Sequence, residues 1–78
     1  MKTNWYFTFM IKQTKLKDRF VKFENMTYEE AREKMVEAIG DQFAFQYSEE
    51  KWKLTKQEER FGLKEIKLYD LIVKLQLL

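Results

Sequence analysis

The segment 27–40, TYEEAREKMVEAIG, constrains the fold most, because both of its ends and its inward face can be read from the sequence. Thr27 and Glu30 have the spacing of a capping box, in which each side chain accepts a hydrogen bond from the other residue's backbone amide. Gly40 is the residue type that most often ends a helix in the left-handed conformation. Between these signals, apolar residues recur at helical spacing, at Tyr28, Ala31, Met35, Ala38 and Ile39. The segment predicts an amphipathic helix with one buried face.

Three aromatic-rich segments, residues 4–11, 19–24 and 43–47, alternate as β-strands do. The first two predict a hairpin, joined by the polar stretch 12–18. On the first, one face carries Trp5, Phe7, Phe9 and Ile11. On the second, Val21 and Phe23 share a face, and Phe20 lies on the other. The third places Phe43, Phe45 and Tyr47 on one face.

A second helix is predicted after the third strand. Ser48 is a suitable N-cap, and Glu49 follows in the first turn, where the helix dipole favours negative charge. Leu54 and Phe61 then fall on one side of the helix and Trp52 on nearly the opposite side. Either the helix breaks before Phe61 or one of these large side chains lies on the surface. Gly62 marks the end of the segment.

The tail, residues 63–78, has two competing patterns. Leu71, Val73, Leu75 and Leu77 alternate as in a strand, whereas Leu68, Leu71, Ile72, Leu75 and Leu78 fit a helix. We favour the strand. The whole chain is then a single α+β domain, 1–78, with an aromatic-rich, mainly antiparallel sheet of three to four strands. The predicted element order is β-β-α-β-α-β, with one helix packed across a face of the sheet.

The composition is that of a folded domain. Aromatic residues make up 17% of the 78 residues, which supplies a short chain with large side chains for its core. There is no Cys, so disulfide frameworks and thiolate sites are excluded. No apolar run has the length of a membrane span or a signal peptide, which predicts a cytoplasmic protein without a membrane partner. The net charge of +2 is too small to indicate the class of partner.

The residue types that enzymes use are largely missing. The chain has no His, and its one Ser, Ser48, is explained as a helix cap. Adjacent carboxylates such as Glu49 and Glu50 point about 100° apart on a helix, so they are explained by a solvated face. The sequence therefore predicts a protein that is not an enzyme, with no catalytic residue, cofactor site or metal site.

Two charged surfaces are candidates for binding. The first is basic and surrounds the hairpin loop: Lys12, Lys15, Lys17, Arg19 and Lys22. With the aromatic residues of the adjoining strands, Trp5, Tyr6, Phe7, Phe9 and Phe20, it could form a stacking surface for nucleic acid. The simpler interpretation is that these aromatic residues form the core and the lysines protect the strand edges.

The second surface is an acidic row along the first helix: Glu29, Glu33, Glu37 and Asp41. Like charges one turn apart do not stabilise a helix. The row either keeps the helix face solvated or offers an acidic stripe to a basic partner, such as the nucleic-acid groove of a host protein.

Three stretches, WYFTF, TYEEAREKM and GDQFAFQYSEEKW, resemble a group of small, mostly uncharacterised proteins of phages and mobile elements of Gram-positive bacteria. The resemblance covers about residues 4–52 and transfers no functional residue. It implies expression in the cytoplasm of a host cell. Compact phage proteins of this size often bind and block a host protein, as anti-CRISPR and other anti-defence inhibitors do, so the resemblance implies such a role.

We therefore predict a small binding protein that blocks a host protein, such as a nucleic-acid-handling enzyme, by occluding its surface. The first alternative is a nucleic-acid accessory protein that uses the basic hairpin. The second is an assembly protein that self-associates through a strand edge or the leucine-rich tail. The sequence does not indicate an oligomeric state.

Overall fold

The computed structural model describes residues 2–9, 16–40 and 43–76. Within these ranges the chain forms four strands and four helices. In chain order they are β1 (Thr3–Phe9), β2 (Arg19–Met26), α1 (Tyr28–Ile39), β3 (Phe43–Ser48), α2 (Glu49–Thr55), α3 (Gln57–Phe61), β4 (Lys64–Glu65) and α4 (Leu68–Gln76). The predicted α+β class is confirmed.

The four strands form one sheet in the order β3-β1-β2-β4. β1 pairs antiparallel with both β2 and β3, and the two-residue β4 pairs parallel with β2. The sheet is thus mainly antiparallel, as predicted. Because β1 lies between β2 and β3, the connection through α1 crosses over β1, which makes β2-α1-β3 a split β-α-β unit.

Helix α1 begins and ends where the sequence predicts. The Thr27 hydroxyl accepts a hydrogen bond from the Glu30 amide at 3.2 Å, and the Glu30 carboxylate accepts one from the Thr27 amide at 2.9 Å. Gly40 ends the helix with a φ of 66°, a conformation that side chains with a Cβ rarely adopt. Its buried residues are Ala31, Met35 and Ile39. The predicted inward face is therefore confirmed.

Helices cover both faces of the sheet. On one face α1 and α4 enclose the main core, whose buried members are Phe7, Leu16, Val21, Phe23, Ala31, Met35, Ile39, Ile66 and Leu71. On the other face α2 encloses a smaller aromatic core of Tyr6, Phe20 and Trp52. As predicted, Val21 and Phe23 lie on the opposite face from Phe20.

Strand β3 departs from the predicted alternation. Its register against β1 shifts between the pairs Thr8–Phe45 and Phe9–Phe43, because β3 has one extra residue there. Such a β-bulge redirects the side chains beyond it. Phe43 packs against the main core, whereas Tyr47 packs against the aromatic core on the opposite face. The prediction that Phe43, Phe45 and Tyr47 share one face is wrong.

The predicted second helix breaks at Lys56 into α2 and α3. Lys56 has the left-handed conformation, with a φ of 51°, and both caps α2 and precedes α3. Trp52 is buried in the aromatic core, whereas Leu54 is 79% exposed and Phe61 is 54% exposed. Both outcomes offered by the sequence therefore occur: the helix breaks before Phe61, and large apolar side chains lie on the surface.

The tail contains the fourth strand of the sheet at Lys64–Glu65, but the prediction of a strand over the alternating residues Leu71, Val73 and Leu75 is wrong. After β4 the chain forms the helix α4, in which Leu71 is fully buried and Leu68 and Leu75 pack against the main core. These positions recur at helical spacing, and α1 alone leaves part of this sheet face uncovered. Packing a second apolar helix beside α1 therefore buries more surface than extending the sheet at β4.

None of the helices in the described residues combines the length and the apolar character that crossing a bilayer requires.

Candidate functional site

A cleft of about 670 Å³ lies over one end of the sheet, beside α3. We refer to it as the aromatic–cationic cleft. Strands β1 and β3, the turn before β2, and α3 contribute to it. Its lining residues are Thr8, Phe9, Lys17, Asp18, Arg19, Phe45, Tyr47, Gln57, Arg60, Phe61 and Leu63. It lies near the face of the sheet that α2 covers.

Two phenylalanine side chains are the most unusual part of this lining. Phe45 on β3 is 59% exposed and Phe61 at the end of α3 is 54% exposed. Phe45 reaches the cleft because it pairs with Thr8, on the same sheet face as the Tyr6–Tyr47 pair, and the bulge beyond it directs Phe43 rather than Phe45 to the main core. Phe61 reaches it because the chain turns at Lys56. Two large apolar side chains left in water at one concave site are typical of a contact surface.

Three cations and one carboxylate share the cleft: Lys17, Arg19, Arg60 and Asp18. Arg60 places its guanidinium 5.4 Å from the centre of the Phe61 ring, a cation–π contact. Arg19 donates from Nη2 to the backbone oxygen of Glu65 at 3.1 Å, which ties the start of β2 to β4. The side-chain charge in the cleft is therefore positive, which favours an anionic ligand.

Helix α2 is fixed on the sheet by a contact network beside the cleft. The Tyr6 hydroxyl donates to Glu49 at 2.7 Å, and Asn4 Nδ2 donates to the same carboxylate at 2.9 Å. Burial, and secondly the bond to Glu49, raise the pKa of Tyr6, and the bond from Tyr6 lowers the pKa of Glu49. Trp52 stacks on the Tyr6 ring. This network holds α2 in place, and α3 continues from it.

The predicted basic surface is only partly assembled. Lys17 and Arg19 lie in the cleft. Lys22 lies elsewhere on the same sheet face, with Nζ 6.0 Å from the centre of the Tyr6 ring. Lys12 and Lys15 lie outside the described residues.

The aromatic residues assigned to that stacking surface are mostly not available. Tyr6, Phe7 and Phe20 are buried, and Trp5 and Phe9 pack against the main core. The simpler interpretation, that these residues form the core, is confirmed. Of these five aromatic residues, Phe9 is the one that also lines the cleft.

The predicted acidic stripe lies on the outer surface of α1. Glu29, Glu33 and Glu37 are exposed, on the side away from the buried Met35, and Asp41 lies outside the described residues. No described cleft is lined by these carboxylates. Because α1 and α2 cover opposite faces of the sheet, the stripe and the cleft face different directions.

Sequence reasoning missed most of the cleft residues, among them Phe45, Arg60 and Phe61. The sequence did contain a signal for Phe61, since its helical position conflicts with that of Trp52. Phe45 carries no comparable signal, because the alternation FAFQY groups it with Phe43 and does not reveal the bulge that puts the two on different faces.

In the ranges 2–9, 16–40 and 43–76, no three His, Cys, Asp or Glu residues are grouped so that they could hold a metal ion.

Comparison with known proteins adds no assignment. No protein-family model, no curated protein and no solved structure matches this chain. The resemblance to small phage proteins therefore stays a prediction.

Proposed function

We propose that this chain is a non-enzymatic binding protein that blocks a partner protein by occluding its surface, and that the aromatic–cationic cleft is its main contact. The observation that carries the proposal is the exposure of Phe45 and Phe61 at one concave site. Following the phage resemblance, the partner would be a host protein. An anti-defence role, of which anti-CRISPR inhibition is one form, is the setting that the resemblance suggests.

The energetics of the two rings support a protein partner. Fully burying a Phe side chain is worth about 1.5–3 kcal/mol, so completing the burial of a half-exposed ring contributes about 1 kcal/mol or more. Aromatic and Arg side chains packed into pockets are also the residue types that dominate interface energies. Phe45, Phe61 and Arg60 provide this combination within one cleft.

The acidic stripe has a secondary role in this proposal. Glu29, Glu33 and Glu37 face away from the cleft, and exposed charges of this kind affect association rates more than affinity. The stripe would accelerate the approach to a partner that carries a basic surface, whereas the cleft would retain the partner through a different, anionic part of it. Charge reversal of the stripe should therefore slow association and leave the dissociation rate nearly unchanged.

The test is affinity capture from host cells with the tagged full chain and two variants. The double variant Phe45→Ala/Phe61→Ala removes the two exposed phenylalanine rings from the cleft. Leu54→Ser is the matched control, because Leu54 is also exposed and apolar but does not line the cleft. We expect a host protein that the wild type and Leu54→Ser both retain and that the double variant loses. Retention by all three proteins would contradict the assignment of the cleft.

A second candidate function is binding of single-stranded nucleic acid at the same cleft. The observation that favours it is the presence of Lys17, Arg19 and Arg60 beside the exposed rings, since such binders combine cations with stacking surfaces. Binding to single- and double-stranded oligonucleotides over a salt series separates the two functions. A nucleic-acid binder loses affinity steeply as salt rises, and the absence of binding at low salt would exclude this candidate.

A further inference from the structure

Strand β3 forms one edge of the sheet. It pairs only with β1 in the order β3-β1-β2-β4, and no described backbone group bonds to its outer side. In an antiparallel pair, alternate residues direct their N–H and C=O groups away from the partner strand. Among the described residues, the outward-facing donors and acceptors of β3 therefore have no backbone partner.

This edge lacks the usual protection against strand addition. Natural edge strands carry lysine, other charges or proline, or are very short. β3 has six residues, Phe43–Ser48, and none of them is charged or proline. Its bulge lies at the Phe43 end, which leaves the part from Phe45 onward in regular pairing with β1. By contrast, the opposite edge, β4, is only two residues long.

The open edge borders the aromatic–cationic cleft. Phe45 and Tyr47 belong to β3 and also line the cleft, so a strand added beside β3 would place every second of its side chains on the sheet face that carries Phe45. Phe61 and Arg60 of α3 line the same cleft. Lys17 also lines it but precedes β2, on the side of β3 away from the added strand. The backbone edge thus adjoins a cleft that holds exposed rings and positive charge.

We infer that the cleft and the β3 edge together bind an extended acidic segment of a partner protein. The segment adds to the sheet as a strand beside β3. It inserts an aromatic or large aliphatic side chain between Phe45 and Phe61, and its acidic residues lie toward the positively charged cleft, nearest to Arg60. This inference rests on the proposed function and specifies the chemistry of the partner.

The open edge favours a peptide over the other occupants. A single-stranded nucleic acid would use the rings and the cations but gains nothing from the outward-facing peptide groups of β3. A second copy of the chain could pair through β3, but it would bring the same cations to the interface, and like charges repel. An acidic extended segment complements all three features at once.

The first test is selection of random twelve-residue peptides displayed on phage against the full chain, with counter-selection on Phe45→Ala/Phe61→Ala. We expect enrichment of acidic peptides in which aromatic or large aliphatic residues alternate with other residues. Enrichment of basic peptides, of peptides with helical spacing of apolar residues, or of no sequence would overturn the inference. Host-protein capture that depends on the two rings would then still support the proposed function.

The second test examines strand pairing in the best selected peptide. Two versions carry N-methyl groups on alternate residues, one on the odd set and one on the even set. Because an added strand bonds to β3 through one set only, we expect about tenfold or greater weakening from one version and little change from the other. Equal effects of the two versions would contradict strand addition.

Hydrogen exchange of the β3 amides gives an independent readout. The outward-facing amides of Phe43–Ser48 should exchange rapidly in the free protein and slowly in the complex. Unchanged exchange in a saturated complex would overturn the inference. Competition by single-stranded DNA, or formation of a dimer in sedimentation, would assign the edge to a different occupant and would also overturn it.

Discussion

The indole of Trp52 stacks on the ring of Tyr6 with the ring centroids 4.5 Å apart and the planes 3° from parallel. Phe20 and Tyr47 contact the same indole, at centroid distances of 5.0 and 5.5 Å. Trp52 is thus the central side chain of the aromatic core. Since α3 follows α2 directly, this contact also determines where Phe61 lies.

Replacing Trp52 should therefore detach α2 from the sheet. We expect Trp52→Ala to lower the free energy of unfolding by about 3–5 kcal/mol, as large-to-small changes of buried aromatic residues do. Leu54→Ala, on the exposed side of the same helix, should change it by about 0.5 kcal/mol or less. Denaturant unfolding measures both. A loss below about 1 kcal/mol for Trp52→Ala would show that α2 is not held by this side chain.

Tyr6→Phe isolates the hydrogen bond between α2 and the sheet, because it removes only the hydroxyl that donates to Glu49. Glu49 is partly exposed, so we expect a loss of only about 1 kcal/mol at pH 7. Asn4 still donates to the carboxylate in this variant. Urea unfolding of the variant and the wild type gives the difference.

That difference should depend on pH in a definite direction. The bond lowers the pKa of Glu49 below its ordinary value of 4.5, so its contribution is present above that pH and is lost as the pH falls and Glu49 is protonated. Burial and the same bond raise the pKa of Tyr6 above 10, so the folded state keeps a proton that the unfolded state loses. The advantage of the wild type should be largest near neutral pH and shrink below about pH 4 and above about pH 10. A constant difference would contradict this explanation.

Lys56→Gly should stabilise the protein. A non-glycine residue in the left-handed conformation destabilises the fold by about 1–2 kcal/mol. Glycine avoids this strain, but its larger entropy in the unfolded state cancels part of the gain in stability. The expected net gain is about 0.5–1 kcal/mol, or a rise in Tm of about 2–8 °C. Lys53→Gly is the matched control within helical α2 and should destabilise by about 1 kcal/mol. Thermal unfolding of both variants shows whether each substitution raises or lowers Tm.

The two rings of the cleft should be dispensable for folding. Phe45→Ala and Phe61→Ala should each lower the free energy of unfolding by less than about 1 kcal/mol, because both side chains are more than half exposed. Phe7→Ala, at a fully buried position, should cost about 3–5 kcal/mol. A large loss of stability at Phe45 or Phe61 would mean that the rings serve the core rather than binding.

The parts of the fold that depend on local signals could be predicted from the sequence. The capping box of Thr27 and Glu30 and the stop at Gly40 are contacts within a few residues of chain, and they define α1 correctly. The alternation of apolar residues likewise identified β1 and β2, because each has one face on a core.

The rest depends on contacts between distant segments. The tail has apolar residues at both strand and helix spacing, and only its position beside α1 favours the helix. Whether β3 bulges depends on its pairing with β1, about 40 residues earlier in the chain. The cleft combines both kinds of long-range effect. Consequently Lys17 and Arg19 could be nominated from the sequence, whereas Phe45 could not.

The strand order β3-β1-β2-β4 has a consequence for the kinetics of folding. β1 is a central strand, but one of its neighbours, β3, is not available until Ser48 has been synthesised. The main core begins at Phe7 and is completed by Leu71, so closing it joins residues about 60 positions apart, at an entropic cost of loop closure. During synthesis we expect β1 and β2 to be present before the strand that completes their sheet. We therefore expect cooperative folding only when the segment that contains α4 has left the ribosome.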